Sequence, residues 1–221
     1  MKGVCVNLSI REEVAQALLR VGAVFFRPEE PFTWASGILS PVYCDNRLIL
    51  SDPAARTLVE QAIAQTVREV YPDCEALFGT STAGIAHAAI AAQLLGLPMG
   101  YVRSGAKDHG RQNQIEGRLA PGQRVVVIED LISTAGSVLE VAAVLREAGA
   151  QVLGIVSIFT YGMEKGLKRL REANIENHSL TDFDAVADQA AAEGYIQAAD
   201  VARLRRFRDN PSDAGWREVK A

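Results

Sequence analysis

The run Arg124 to Val138, RVVVIEDLISTAGSV, limits the possible folds more than any other stretch of the chain. Four consecutive apolar residues, Val125 to Ile128, suit a strand covered on both faces, because a half-exposed strand would alternate apolar with polar. Two acids, Glu129 and Asp130, close the run, and small hydroxyl residues then lead into the helical pattern GSVLEVAAVLREAGA. Around this centre, short apolar runs alternate with helical ones: CEALFG, AGIAHAAIAAQLLG, PMGYV and, downstream, QVLGIVSIFTY. Such alternation predicts βαβ units and an α/β fold with a mainly parallel, twisted sheet flanked by helices. The chain has 221 residues, 48% of them apolar, which suits one domain with decorations.

Helix signals frame that core. Ser9 reads as an N-cap, with Glu12 completing a capping box and Gly22 supplying the left-handed stop. Ser51-Asp52-Pro53 starts a second helix through about Tyr71, with proline where its missing N–H costs nothing. Past Tyr161 the chain turns polar, with helices expected near Glu164–Ala173, Asp182–Gly194 and Gln197–Asp209, the last ended by Asn210-Pro211. The expected organisation of residues 1–221 is one domain: an N-terminal helix and hood (1–47), a binding core (48–161) and a helical C-terminal extension (162–221) that serves packing or oligomerisation.

Composition narrows the partners. A net charge of −4 argues against broad electrostatic binding to nucleic acid or an anionic membrane, so any anion site must be local. Cys5, Cys44 and Cys74 are scattered and fit neither a disulfide framework nor a zinc site. The N-terminus turns charged before any signal-like apolar run, and no stretch approaches the roughly 20 apolar residues of a membrane span. A cytoplasmic protein is expected. His87, in an Ala/Ile-rich helix, and His178, in a polar turn, read as ordinary structural histidines, and without H-x-x-x-H spacing no protein-ligated catalytic metal is expected.

The chemistry concentrates beyond the strand ends. Ligands of open parallel sheets bind outside the carboxyl ends of the strands, which puts Glu129 and Asp130 at the mouth of the crevice. Neighbours on a strand point to opposite faces, so the two acids suit a pair of ribose hydroxyls better than joint action on one atom. Ser133, Thr134, Gly136 and Ser137 then lead to a helix N-terminus, where free N–H groups favour a phosphate. Acids for a diol and amides for a phosphate together spell a ribose 5-phosphate. A second turn, Gly79 to Gly84, could hold pyrophosphate. The segment Tyr101 to Gly117 gathers Arg103, Lys107, His109 and Arg111 among glycines; it reads as a flap whose cations neutralise a departing pyrophosphate, with Lys107 contributing most.

The run VVVIEDLISTAGS resembles the binding signature for 5-phosphoribosyl pyrophosphate (PRPP) of type I phosphoribosyltransferases. The flap, R-x-x-x-K-D-H-G followed by IEG, resembles the catalytic loop of the orotate-using members, and FTWASGILSPVYCDNR, Phe32 to Arg47, resembles their N-terminal hood. This resemblance implies the type I phosphoribosyltransferase fold and transfer of ribose 5-phosphate from PRPP to orotate, giving orotidine 5′-monophosphate in pyrimidine biosynthesis. It implies catalytic roles for Lys107 and Asp130. PRPP contacts are implied for Arg103, Lys107, His109 and Glu129 to Ser137, that is Glu129, Asp130, Leu131, Ile132, Ser133, Thr134, Ala135, Gly136 and Ser137, with Ser133 or Thr134 meeting orotate. It also implies Mg²⁺ brought by the pyrophosphate and a homodimer in which the 103–117 loop reaches the neighbouring site.

Departures accompany the match. Many members carry lysine where this chain has Ala35, and another where it has Ser104-Gly105. The arginine that pairs with orotate's carboxylate in some relatives has no counterpart near Tyr161. Two alternatives share the PRPP loop: a purine or uracil transferase, against which the flap speaks, and a PRPP-sensing regulator. For a DNA-binding element of the latter, Arg203-Leu-Arg205-Arg206-Phe-Arg208 is the one candidate, and a solvated amphipathic helix is its simpler reading.

Overall fold

The computed structural model describes residues 9–33, 37–103 and 114–218. Its central sheet is built from β5 (Ala76–Thr80), β6 (Met99–Val102), β7 (Ile115–Glu116), β8 (Arg124–Ile132), β9 (Gln151–Thr160) and β10 (Asn177–Asp182), in the order β10-β9-β8-β5-β6-β7. Only β7 runs antiparallel to its neighbour. The unbroken apolar run of β8 has the expected cause, since successive side chains enter different cores. Val126 and Ile128 join Leu77, Val156 and Ile158 in one core, whereas Val125 and Val127 join Phe78 and Ile155 in the other. The first core is roofed by α1 (Ile10–Arg20), α2 (Pro53–Val70), α3 (Ala83–Leu95) and α6 (Phe183–Ala192), the second by α4 (Gly136–Glu147) and α5 (Glu164–Glu172).

From the middle of the sheet the chain winds outward in two directions. The β5-α3-β6 unit moves one way and β8-α4-β9 the other, with α3 and α4 on opposite faces. A crevice therefore opens between the carboxyl ends of β5 and β8, the switch point of the doubly wound sheet. Pairing of these two strands ends at Gly79 opposite Ile128, while β8 continues beside β9 until Ile132 meets Thr160. Residues 129–132 thus overhang the crevice. The turn into α3 must press against the same place, and a Cβ on Gly84 would lie 2.5 Å from both the Ile128 carbonyl oxygen and Thr80 Oγ1.

The start of the chain follows its signals. Glu12 accepts from the Ser9 backbone N at 2.8 Å and from its hydroxyl at 2.9 Å, Gly22 is left-handed with φ 69°, and Asp52 caps α2 by accepting from Ala55 N at 2.8 Å. Between α1 and α2 the chain forms two short ribbons: β1 (Val24–Phe26) with β4 (Val42–Cys44), and β2 (Phe32–Thr33) with β3 (Leu39–Ser40). Strands of two or three residues are too short to print a period of two.

The tail is mainly helical as expected, with α7 (Asp200–Asp209) followed by a short 3-10 turn at Ala214–Arg217, but Asn177–Asp182 adds β10 to the sheet. His178, expected in a turn, lies in that strand. An edge strand as polar as NHSLTD carries little signal of its own, and its register comes from β9. Helix α7 is amphipathic as expected, with Arg205 and Arg206 on its solvated side, but its arginines are paired with carboxylates. Arg203 is buried between Glu29, Asp200 and the Pro28 carbonyl, while Arg205 and Arg208 meet Asp184 and Arg206 meets Asp213.

Gly84→Ala is expected to cost about 1–3 kcal/mol, because its Cβ meets backbone that cannot move aside. Urea denaturation checks this, and an unchanged midpoint would show that the strand-to-helix contact is looser than described.

Candidate active site

The overhang of β8 lines an open cleft of about 380 Å³ together with Ser81, Thr82 and Ala83 from the β5–α3 turn, Cys44, Asp45 and Arg47 from the hood, and Ser137 of α4. Glu129 is its buried acid, 5% exposed, and Asp130 the more open one. Thr80 Oγ1 donates to Glu129 Oε1 at 2.6 Å and the Asp130 backbone N donates to the same oxygen at 3.0 Å. Burial first, and then the Asp130 carboxyl, push the Glu129 carboxyl up to about 8, against the opposing pull of these donors. Asn46, itself buried, donates from Nδ2 to the Asp130 carbonyl at 2.7 Å and accepts from the Cys44 thiol at 3.2 Å, tying the hood to the overhang.

Past Ile132 the chain makes the turn that the small residues foretold. Ala135 is left-handed at φ 58°, buried, and stands at the N-cap of α4 without a side-chain cap bond. The first N–H groups of α4 therefore keep their donor capacity for a ligand, where the helix dipole favours an anion. The turn is braced from below. Arg169 Nη1 donates to the Thr134 carbonyl at 3.1 Å, and Gly166 approaches the Ser133 carbonyl so closely that no Cβ could fit.

The residues singled out in the sequence separate into groups. Glu129, Asp130, Leu131 and Ser137 share the cleft, with Gly136 opening α4 beside them. Ile132 is buried, and it lines with Ser133 a separate cavity of about 400 Å³ beneath α5. Arg103 stands at the end of β6 beside Thr80, Gln114 and Ser137, with its Nε 3.2 Å from Glu116 Oε1. Lys107, His109 and Arg111 lie outside the described residues. Asp45, Asn46 and Arg47 carried no individual role in the sequence, although they stand in the quoted hood segment, and Thr80 belongs to the Gly79 to Gly84 turn expected to face a ligand. Tyr161 belongs to the core, its ring 5.1 Å from Phe159 and 5.9 Å from Phe183.

A buried acid beside an open one, at the switch point, followed by a left-handed turn into an uncapped helix, is an arrangement suited to an anion and a diol. Residues 47–189, which contain both acids and the turn into α4, match the model of the phosphoribosyl transferase domain. The chain is 52% identical to the orotate phosphoribosyltransferase of Bacillus subtilis over 210 residues, 95% of this chain and 97% of that one. It belongs to the orotate phosphoribosyltransferase family. The crystal structure of the orotate phosphoribosyltransferase from Aeropyrum pernix superposes with a TM-score of 0.72 at 28% identity, covering 83% of this chain and 99% of that one. The Leishmania donovani UMP synthase superposes with a TM-score of 0.77 at 26% identity, covering 90% of this chain but only 42% of that longer protein.

The Glu129 shift has a measurable consequence. A ligand hydroxyl bonds ionised Glu129 more strongly than the neutral acid, so below the raised value binding favours loss of its proton. Calorimetric titration of PRPP in buffers of different ionisation enthalpy is expected to show release of up to about one proton near pH 7, fading above about pH 9. Binding without proton release at either pH would mean that Glu129 stays with Thr80 and meets no ligand.

Proposed function

We infer that the chain transfers the ribose 5-phosphate group of PRPP to orotate, giving orotidine 5′-monophosphate and pyrophosphate in pyrimidine biosynthesis. The observation that carries this reading is the succession of Glu129, Asp130, left-handed Ala135 and the uncapped start of α4 at the sheet's switch point. Glu129 and Asp130 accept from the ribose hydroxyls, and the amides of the turn from Ser133 to Ser137 hold the 5-phosphate. The β5–α3 turn faces the same cleft and takes the pyrophosphate end.

Among the described residues no three His, Cys, Asp or Glu side chains gather to hold a metal ion. A divalent cation here leans on ligands from the substrate, which suits Mg²⁺ carried by the pyrophosphate with Asp130 and Glu129 near the diol; it would supply positive charge to the leaving oxygens. The protein's own part is positioning and charge. Arg103, Lys107 and His109 on the 103–117 loop draw negative charge onto the departing pyrophosphate and close the cleft against water while the base nitrogen attacks C1. Ser133 or Thr134 offers orotate a hydroxyl. The working form is a homodimer sharing this loop between sites, in the cytoplasm; among the described residues no helix is long and apolar enough to cross a membrane.

The regulator alternative loses its one physical support. Each arginine of the α7 cluster is already paired with a carboxylate of the chain itself, which leaves little free positive charge for a phosphate backbone.

Two measurements test the assignment. Incubation with PRPP, Mg²⁺ and each of orotate, uracil, adenine and hypoxanthine should consume orotate, followed by its absorbance; preference for another base would overturn it. Lys107→Ala should lower kcat by about 10²–10³-fold with far less effect on the KM for PRPP, since the loop acts on charge that develops in the transition state. Equal losses in both would assign Lys107 to ground-state binding instead.

A further inference from the structure

The cleft has an electrostatic imbalance. Its described wall carries the carboxyl groups of Asp45, Glu129 and Asp130, yet both substrates of the proposed reaction are anions. Among the described residues lining it, Arg47 is the sole cation. This side chain is held unusually well for a group 65% exposed. Asp45 Oδ1 accepts from Arg47 Nε at 2.6 Å and from its backbone N at 3.2 Å, while Asp45 Oδ2 accepts from Nη2 at 2.7 Å. Asn46, between the two, is anchored to the Asp130 carbonyl. The guanidinium is thereby fixed to the frame that carries Asp130, and Nη1 has no partner among the described residues. The same pairing holds the Asp45 carboxyl below its usual range and raises Arg47 further above neutrality.

We propose that Arg47, oriented by Asp45, is the specificity-determining residue that reads the carboxylate of the base. The proposal rests on the functional reading above and completes it. Pyrophosphate already has amides at the β5–α3 turn and Arg103 beside them to meet it, whereas no cation other than Arg47 lines the described part of this cleft: Tyr161 is in the core, and Ser133 and Thr134 are neutral. Uracil is the same ring without the carboxylate. A site built around a charged hydrogen-bonding group rejects an analogue lacking its partner more strongly than neutral hydroxyls can. Arginine suits this task because its planar fork can keep Asp45 on one edge and accept a second carboxylate on another.

Steady-state kinetics with Mg²⁺ and PRPP test this on the full chain with the variants Arg47→Gln, Arg47→Lys and Asp45→Asn. Arg47→Gln should raise the KM for orotate about 10- to 100-fold, the worth of a charge-assisted hydrogen bond, and leave the KM for PRPP nearly unchanged. Its preference for orotate over uracil should fall by a similar factor. Arg47→Lys should recover part of the loss, and Asp45→Asn should shift the same constant less. Urea midpoints equal to that of the wild-type chain separate these effects from unfolding. A raised KM for PRPP with orotate unaffected would place Arg47 on the diphosphate and overturn the proposal, as would unchanged selectivity. Wild-type protein that consumes no orotate would overturn the functional reading and this one together, and that failure is distinguishable because it needs no variant.

Discussion

The rest of the site depends on β5 stopping where β8 continues. Because pairing ends at Gly79 opposite Ile128, the side chain of Thr80 can turn across the gap and donate to Glu129. A carboxyl buried this deeply is costly unless it is hydrogen-bonded or neutral, and here it is both bonded and inclined to keep its proton. The crevice is thus a place where the sheet leaves backbone and acid uncommitted. Helix α3 crowds the same point, which is why Gly84 has no room for a side chain beside the Ile128 carbonyl.

Charge in this molecule is arranged locally. The net charge is negative, and the arginines of α7 are spent on internal pairs that fasten the tail to the hood loop at Glu29 and to α6 at Asp184. Among the described residues around the cleft, positive charge and free donors are left to a few places: the uncapped start of α4, Arg103 beside the cleft, and Arg47 on the hood. Short-range sites of this kind bind through geometry, and they lose less to salt than a diffuse basic surface does.

Rigidity surrounds the cleft on three sides. Asn46 bonds the hood to the Asp130 backbone, Arg169 and Gly166 brace the phosphate turn, and β9 carries the overhanging strand as far as Ile132. Each bracing group comes from a different part of the chain. Positioning of this quality is what a reaction with little covalent work for the protein demands.

By itself, the sequence determined the layers, the helix ends and the place of the chemistry. Val125 to Ile128 suited a doubly covered strand, Ser9-x-x-Glu12 and Asp52-Pro53 set helix starts, and EDLISTAGS put acids before a turn into a helix N-terminus. These are short-range signals, encoded in the period and capping of a few neighbouring residues. The tertiary structure alone decided the rest. β10 is a strand only because β9 pairs with it, the hood ribbons are too short to show a pattern, and Asn46 reaches Asp130 across 84 residues of sequence. Arg203 finds Glu29 across 174. Contacts like these draw their energy from partners remote in the chain, so no local pattern announces them, and Asp45 and Arg47 became visible as site residues only when the fold set them beside Glu129 and Asp130.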